Sequence, residues 1–327
     1  LIEQRVLTLL EEGKAPLYLP AALAKEGVLD LAEPGTPGSF SRACEFAFAV
    51  GGGRDLGIAL AALVPLTVPR WLLSQWDARM RDRYLRPAMS LCGLTDVEVT
   101  REGTWVVLRG IERAVVNVPH ADIVLVLARG PNACYCPIAA PVDSPGLALR
   151  PLDNIGSLSL YRAEFDSCRL AAEYVIDAVA AELSRALAQH YVILACAAIR
   201  MADEVLRALY SHADTRRMFG QTMARLQVVA HRLADHTASY RIAAAYLEEV
   251  RNGANPAGFV RHAAMACTAV AAMVRRLLED AVQLFGGRAY LTDHWVGRLY
   301  RDWLSLEPLV SPRDLLMCLA AEGETWS

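Results

Sequence analysis

The sequence predicts a mainly α-helical protein with a small β-domain in its middle. Three observations lead there. Apolar residues recur at spacings of three and four over residues 1–90 and again from about 178 onward. Between these regions the period falls to two, in short β-branched runs. Glycine, proline and asparagine stand at the breaks, where chain direction has to change. The expected organisation is an N-terminal helical domain over 1–90, a middle β-domain over 91–172 and a C-terminal four-helix bundle over 173–327.

In the first region the Ala/Leu-rich stretches 17–31, 39–50 and 55–85 are expected as helices, interrupted by Pro34, Pro37 and the turn Gly51-Gly52-Gly53. That triple glycine is not a phosphate loop, because no Gly-Lys-Ser/Thr follows it and Arg54-Asp55 opens a new helix instead. Strands are expected at Val97–Thr100, Thr104–Leu108, Ala114–Asn117 and Ile123–Leu127, separated by turns such as Glu102-Gly103 and Arg109-Gly110. The last region reads as long helices over 178–212, 215–251 and 258–285, with shorter ones near 292–303 and 312–321. Leu183, Leu187, Tyr191, Leu194 and Ala198 fall on one stripe of the first, as a buried helix face requires.

Composition excludes several classes. With 54% hydrophobic and 21% charged residues, the 327-residue chain is too apolar for disorder. A net charge of −3, without blocks of like sign, leaves no electrostatic footprint for nucleic acid or an anionic membrane. Its longest uncharged stretches, Leu56–Pro69 and Tyr191–Ile199, fall short of the roughly 18 apolar residues of a bilayer span. Glu3 and Arg5 interrupt the first residues, so no secretory signal is read there and a cytoplasmic location is expected. The eight cysteines are scattered and read as small core residues; Cys134-Tyr-Cys136 lacks the second pair or nearby histidine of a zinc site. Histidines 190, 231, 236 and 262 form no paired metal motif, and no metal is expected.

Two motifs point further. Tyr210-Ser-His-Ala-Asp-Thr-Arg216-Arg-Met-Phe219-Gly220 is followed by Gln227 and Leu233-Ala-Asp235. Gln283-Leu-Phe-Gly286-Gly287-Arg-Ala-Tyr290 is followed by Val296, Arg298 and Arg301-Asp302. In this order they resemble the Arg-x-x-Phe-Gly and Gln-x-x-Gly-Gly signatures of the acyl-CoA dehydrogenase family. Weaker echoes, in 54–60 with 84–87, in Gly103–Gly110 and in Ala121–Val126, extend the likeness over most of the chain. The resemblance implies a helical domain, a β-barrel-like domain and a four-helix bundle, with FAD between the last two and its adenosine end on a neighbouring subunit. It implies that Arg216 pairs with diphosphate, that Phe219 and Gln227 contact the adenosine end, and that Gln283, Gly286 and Gly287 receive the nucleotide. The chemistry suits these roles: a guanidinium offers a fixed fork of donors, and paired glycines let backbone approach a phosphate. Singly, each residue has a plainer reading, with Arg216 solvated, Phe219 in the core and Gly286-Gly287 ending a helix.

The catalytic half of the family pattern is missing. Its base is a glutamate that removes the α-proton of an acyl-CoA. Counted from Asp302, that place falls on Val310; the alternative place, before an arginine on the first bundle helix, falls on Ser184. Neither side chain is a base. Glu307, Glu182, Asp302 and Asp314 are weaker candidates, more readily explained as capping, solvated or ion-paired groups. The family's Thr-Glu-Pro and Gly-Ser-Asp segment has no counterpart between Leu91 and Thr100, and its flavin-contacting aromatic and hydroxyl correspond to Ala114 and Val116. Retention of the adenosine end with loss of the flavin end resembles the non-catalytic subunits of heteromeric acyl-CoA dehydrogenases of actinobacteria that act on steroid side chains. All but two of the 33 basic residues are arginine, which is compatible with such a source. The expected role is therefore the non-catalytic partner of a homologous catalytic subunit in an α2β2 heterotetramer, sharing FAD, with acyl-CoA bound mainly by the partner. The alternatives are flavin-independent thioester chemistry on the same fold and a structural or regulatory binding module.

Overall fold

In the computed structural model, residues 35–53, 56–77, 79–80, 87–90, 96–116, 118–130, 135–153, 155–156, 159–253 and 257–310 are described. Three short helices come first: α1 (Ser39–Gly51), α2 (Leu56–Leu63) and α3 (Val68–Ser74). Seven strands follow, β1 (Pro87–Ser90), β2 (Glu98–Glu102), β3 (Trp105–Val116), β4 (Ile123–Arg129), β5 (Tyr135–Pro141), β6 (Leu147–Leu152) and β7 (Leu160–Ala171). The bundle consists of α4 (Ala180–Thr215), α5 (Gln227–Arg251), α6 (Phe259–Phe285) and α7 (Trp295–Val310), with a two-stranded ribbon of β8 (Arg217–Met218) and β9 (Gln221–Thr222) between α4 and α5.

The strands form one sheet in the order β1-β4-β2-β3-β7-β6, with β5 on β4 and β1 also on β3. Pairing is antiparallel except where β4 meets β1 and β2. Alternation along a strand sends neighbouring residues to opposite faces, and here both faces are covered. Ile123 and Leu125 of β4 join the core shared with the helices, while Val124 and Val126 join a second core enclosed by the sheet.

The apolar stripe expected on the first bundle helix is buried: Leu183, Leu187, Tyr191, Leu194 and Ala198 are all at most 6% exposed. At 36 residues α4 is about 54 Å long, and it packs against α1, α5 and α6. The approach of α1 is close enough that a Cβ at Gly51 would lie 2.2 Å from the Ala197 carbonyl oxygen, which is why glycine ends α1 there. Trp76 ties this layer to the sheet by donating its indole N–H to the Glu173 carbonyl at 2.7 Å.

Several expectations are corrected. The stretch 55–85 is not one helix: Pro65 and Pro69 break it into α2, a 3-10 turn at Val64–Leu66 and α3, since proline lacks the N–H of a continuous helix. The segments Thr104–Leu108 and Ala114–Asn117 are parts of one strand, β3, and Arg109-Gly110 is an irregularity within it rather than a turn. Gly110 has φ +125°, and a Cβ there would lie 2.1 Å from the Asp96 carbonyl oxygen; the bulge re-aims the strand without ending it. Strands β5, β6 and β7 were not expected, because prolines and charged residues blur their alternation. The helix expected over 215–251 begins only at Gln227. The helix placed near 292–303 runs from Trp295 to Val310. Expectations at 17–31, 54–55, 84–86, 91–95, Asn117, Cys134 and 312–321, with Asp314, lie outside the described residues, as does the side chain of Val310.

The cysteines at 44, 168, 196 and 267 are buried free thiols, and Cys136 is half-buried. Burial pushes the thiol pKa up at Cys136 and, to about 11, at Cys168. No helix among the described residues is long and apolar enough to cross a membrane. No group of three or more His, Cys, Asp or Glu among them is arranged to hold a metal ion.

One core residue departs from the apolar pattern. His190 of α4 is fully buried, and burial lowers its pKa to about 3. In the unfolded chain an imidazole titrates near 6.5, so below that pH the unfolded state takes a proton that the folded state refuses. The stability held above pH 6.5 is therefore lost as the pH falls toward 3, at about 1.4 kcal/mol per pH unit from this group. Chemical denaturation at pH 7.5 and pH 5.0 should show His190→Phe losing about 2 kcal/mol less than the native chain over that interval. Equal losses in the two proteins would mean that His190 is already protonated in the fold.

Candidate functional site

The two motifs meet at one end of the bundle. Helix α4 runs toward this end, α5 away from it and α6 back, so the α4–α5 connection and the end of α6 are neighbours. A ring contact closes the gap: His212 in the last turn of α4 lies 4.8 Å, centroid to centroid, from Phe285 at the end of α6, and Phe285 lies 5.2 Å from His294. The His212 pKa is lowered, first by burial and next by the positive charge of Arg216, with a hydrogen bond to the Leu284 backbone opposing both. Burial likewise lowers His294. Both rings are thereby held toward the neutral form beside the cationic Arg216 and Arg288.

Helix α4 stops at Arg216, whose φ of −72° and ψ of 123° are extended. Its N–H still donates to the His212 carbonyl at 2.8 Å, while its own carbonyl accepts from the Met223 N–H at 2.7 Å. Between these two bonds the chain makes a hairpin. Arg217 pairs with Thr222 and Met218 with Gln221, leaving Phe219 and Gly220 as the two turn residues. Their φ values are +50° and +80°, the left-handed pair that a tight hairpin turn demands. Glycine meets that demand freely, whereas a phenylalanine is strained there. The ring gains nothing from the chain in return, for Phe219 is 86% exposed. The reading of Phe219 as a core residue is thus corrected: it is a projecting aromatic at the tip of an arm.

Gln227 is the first residue of α5 and is exposed at the same end. Gln283, in the last turn of α6, is exposed and places its amide nitrogen 3.5 Å from the Tyr290 hydroxyl. Gly286 caps α6 with φ 69° and ψ −152°, a conformation open essentially to glycine alone. A Cβ at Gly286 or Gly287 would meet nothing within 4 Å. At Gly287, then, packing within this chain does not call for glycine, and the bare backbone is open to an approaching group. Met218, Val228, Tyr290 and Leu291 add exposed apolar surface around these residues. The ribbon and this apolar rim escaped sequence reasoning; the adjacent Phe219-Gly220, a turn-favouring pair, was the available signal.

The first of the two positions expected to hold a base lies far from this end. Ser184 is in the first turn and a half of α4, 32 residues and about 48 Å of helix from Arg216. The following Arg185 stacks over Phe259 with its guanidinium carbon 5.2 Å from the ring centre. Val310 is the last residue of α7. Glu307 is not available as a base, since both its oxygens engage the guanidinium of Arg275 on α6, one at 3.1 Å from Nε. Glu182 is exposed and Asp302 fully buried. On β3, Val116 is buried in the core facing the helices and Ala114 packs against that core, so neither position offers a polar side-chain atom to a flavin ring. The exposed Arg216 and the open backbone of Gly286-Gly287 thus have the chemistry that a nucleotide diphosphate needs, whereas Ala114 and Val116 have no polar side-chain atom for a flavin ring.

Strain at Phe219 makes a direct prediction. Asparagine tolerates the left-handed region far better than phenylalanine, and the exposed ring supports no packing. Phe219→Asn should raise the unfolding free energy of the isolated chain by about 1 kcal/mol. A fall of that size in a denaturant titration would show the ring to be part of the fold.

Comparison with known proteins agrees with this architecture. Residues 180–309 match the family described as acyl-CoA dehydrogenase, C-terminal domain. The human mitochondrial short-chain specific acyl-CoA dehydrogenase is 26% identical over 226 residues, covering 64% of this chain, and the match spans only 54% of that relative's length. Cyclohex-1-ene-1-carbonyl-CoA dehydrogenase of Geobacter metallireducens is also 26% identical, over 92% of this chain and 88% of its own. Among solved structures, an FAD-dependent dehydrogenase superposes with a TM-score of 0.82 at 18% identity, covering 98% of this chain and 96% of that one. Butyryl-CoA dehydrogenase of Megasphaera elsdenii superposes with a TM-score of 0.76 at 17% identity, covering 98% and 97%. The chain has the acyl-CoA dehydrogenase-like fold, and within it residues 180–309 match the acyl-CoA dehydrogenase C-terminal domain.

Proposed function

We propose that this chain is the non-catalytic subunit of a heteromeric, FAD-dependent acyl-CoA dehydrogenase, pairing with a homologous catalytic subunit in an α2β2 heterotetramer. In that role it lends the surface of Arg216, Phe219, Gln227, Gln283, Gly286 and Gly287 to the adenosine end of its partner's FAD. The observation that carries the reading is the strained, exposed Phe219 beside Arg216, at the same bundle end as the bare glycines. Such an arm has no use within the chain and a clear one against a nucleotide: the ring can stack on a base while the guanidinium meets the diphosphate. Bound FAD supplies the hydride acceptor of acyl-CoA dehydrogenation.

The chain's own residues explain why it would not perform that chemistry alone. Ser184 has no carboxylate to take an α-proton, valine at 310 has none either, and Glu307 is held by Arg275. Acyl-CoA would therefore be bound mainly by the partner. A steroid side-chain acyl-CoA is the substrate class that the sequence resemblance attaches to this arrangement.

The chain purified alone should retain little FAD and oxidise no acyl-CoA. In the complex with its partner, Arg216→Ala should weaken FAD binding by about ten- to a hundredfold, the worth of one charge-assisted contact. Partner activity should fall at limiting FAD and recover in excess FAD. Equal FAD dissociation constants for native and Arg216→Ala complexes would remove the shared-cofactor role from Arg216. Stoichiometric flavin and turnover on the isolated chain would overturn the non-catalytic assignment.

A further inference from the structure

The family resemblance provides a single cation, Arg216, for a diphosphate. A second stands beside it. Arg288 directly follows the open Gly286-Gly287 backbone, in the 3-10 turn Gly286–Tyr290 beyond α6, and is exposed. The ring contact of His212 with Phe285, 4.8 Å between centroids, joins the end of α4, where Arg216 stands, to the end of α6, where Arg288 stands. Both positive charges act on the His212 imidazole, and that of Arg288 acts on His294 as well. Neither guanidinium forms an ion pair among the described residues, although Asp214 and Asp293, close by in sequence, are also exposed. Elsewhere exposed arginines do find carboxylates, as Arg129 finds Glu98 at 3.0 Å and Arg207 finds Asp203 at 2.9 Å.

Two guanidiniums around one imidazole repel each other until an anion joins them. A diphosphate esterified at both ends carries two negative charges, one on each phosphate. One arginine leaves half of that charge unmet, and two match it. The histidines respond to the same charges. His212 is faced by Arg216, Arg288 and His294, with only the Leu284 carbonyl favouring its protonation, and His294 is faced by Arg288 and, in the opposite sense, by Asp293. An anion held between the arginines cancels their share of the repulsion, so both imidazoles accept a proton more readily when it is bound. By linkage, the anion then binds more tightly as the pH falls through the titration of the bound form.

We infer that Arg288 is the second arm of a clamp with Arg216, and that the clamp selects a nucleotide whose diphosphate is esterified at both ends. The inference rests on the nucleotide reading proposed above, which assigns no role to Arg288, His212 or His294.

The test uses the full chain and two probes: ADP-ribose, which carries adenosine on a doubly esterified diphosphate, and adenosine, which lacks the phosphates. Arg288→Ala should weaken ADP-ribose binding about tenfold and leave adenosine binding as it is in the native chain. Arg241→Ala removes the same charge from an exposed site on α5, about 21 Å of helix beyond Gln227, and should change neither. In a chain labelled with 15N-histidine, ADP-ribose should raise the titration midpoints of the two imidazoles whose resonances are missing from His212→Gln and His294→Gln, and adenosine should not. ADP-ribose should also bind more tightly at about pH 6 than at about pH 8. Should Arg288→Ala fail to fold, the midpoints in the native chain decide. A loss of ADP-ribose affinity in Arg216→Ala with none in Arg288→Ala would overturn the clamp and leave the nucleotide reading standing. Equal losses in Arg288→Ala and Arg241→Ala, unmoved midpoints, or no binding of ADP-ribose would also overturn the clamp, while FAD dissociation from the Arg216→Ala complex judges the nucleotide reading by itself.

Discussion

Everything in this fold leans on one helix. The Leu183-to-Ala198 stripe of α4 is the wall against which the N-terminal layer and the rest of the bundle pack. Its contact with α1 is so close that the Gly51 Cα lies against the Ala197 backbone, with no room for a methyl group. A long amphipathic helix buried on several sides gains more from packing than from intrinsic propensity. The same length sets the functional geography. One end of α4 carries Arg216 and the ribbon, the other carries Ser184 and His190, and tens of ångströms of rigid helix separate them.

That separation lets the two ends have different fates. At the ribbon end Arg216, Phe219 and Gly287 are exposed and no packing within the described residues calls for the Phe219 ring or for glycine at 287, whereas Gly286 serves as the cap of α6. The places where the resemblance puts a base hold serine, at the other end of α4, and valine, at the end of α7, while Glu307 on α7 is paired with Arg275. Strain at Phe219 is informative because a solvated phenylalanine in the left-handed region has no local compensation. In the role proposed above, the outside partner is a nucleotide, for which an arginine, an aromatic ring and a glycine pair are jointly suited.

Much of this was legible in the sequence. The apolar period of α4 and α6, the punctuation at Asn252-Gly253 and Gly286, and the two motifs in order sufficed for the architecture and for one set of candidate residues. Elements whose local pattern conflicts with their environment were not legible. Strand β7 mixes Arg162, Glu164 and Arg169 with buried Ala163, Phe165 and Cys168, and only pairing with β3 and β6 makes it a strand. The stretch 215–226 contains good helix formers, but the Arg216 and Met223 backbones close a loop there and the ribbon wins.

By itself the sequence determined the periodicities, the breakers and the residue types present at each motif, because these depend on neighbours a few positions away. Tertiary structure alone decided which distant groups meet. His212 finds Phe285, Glu307 finds Arg275, and His190 is enclosed with no partner for either nitrogen among the described residues. Each outcome depends on how whole helices pack against one another, and packing is a property of assembled surfaces that no local spacing encodes.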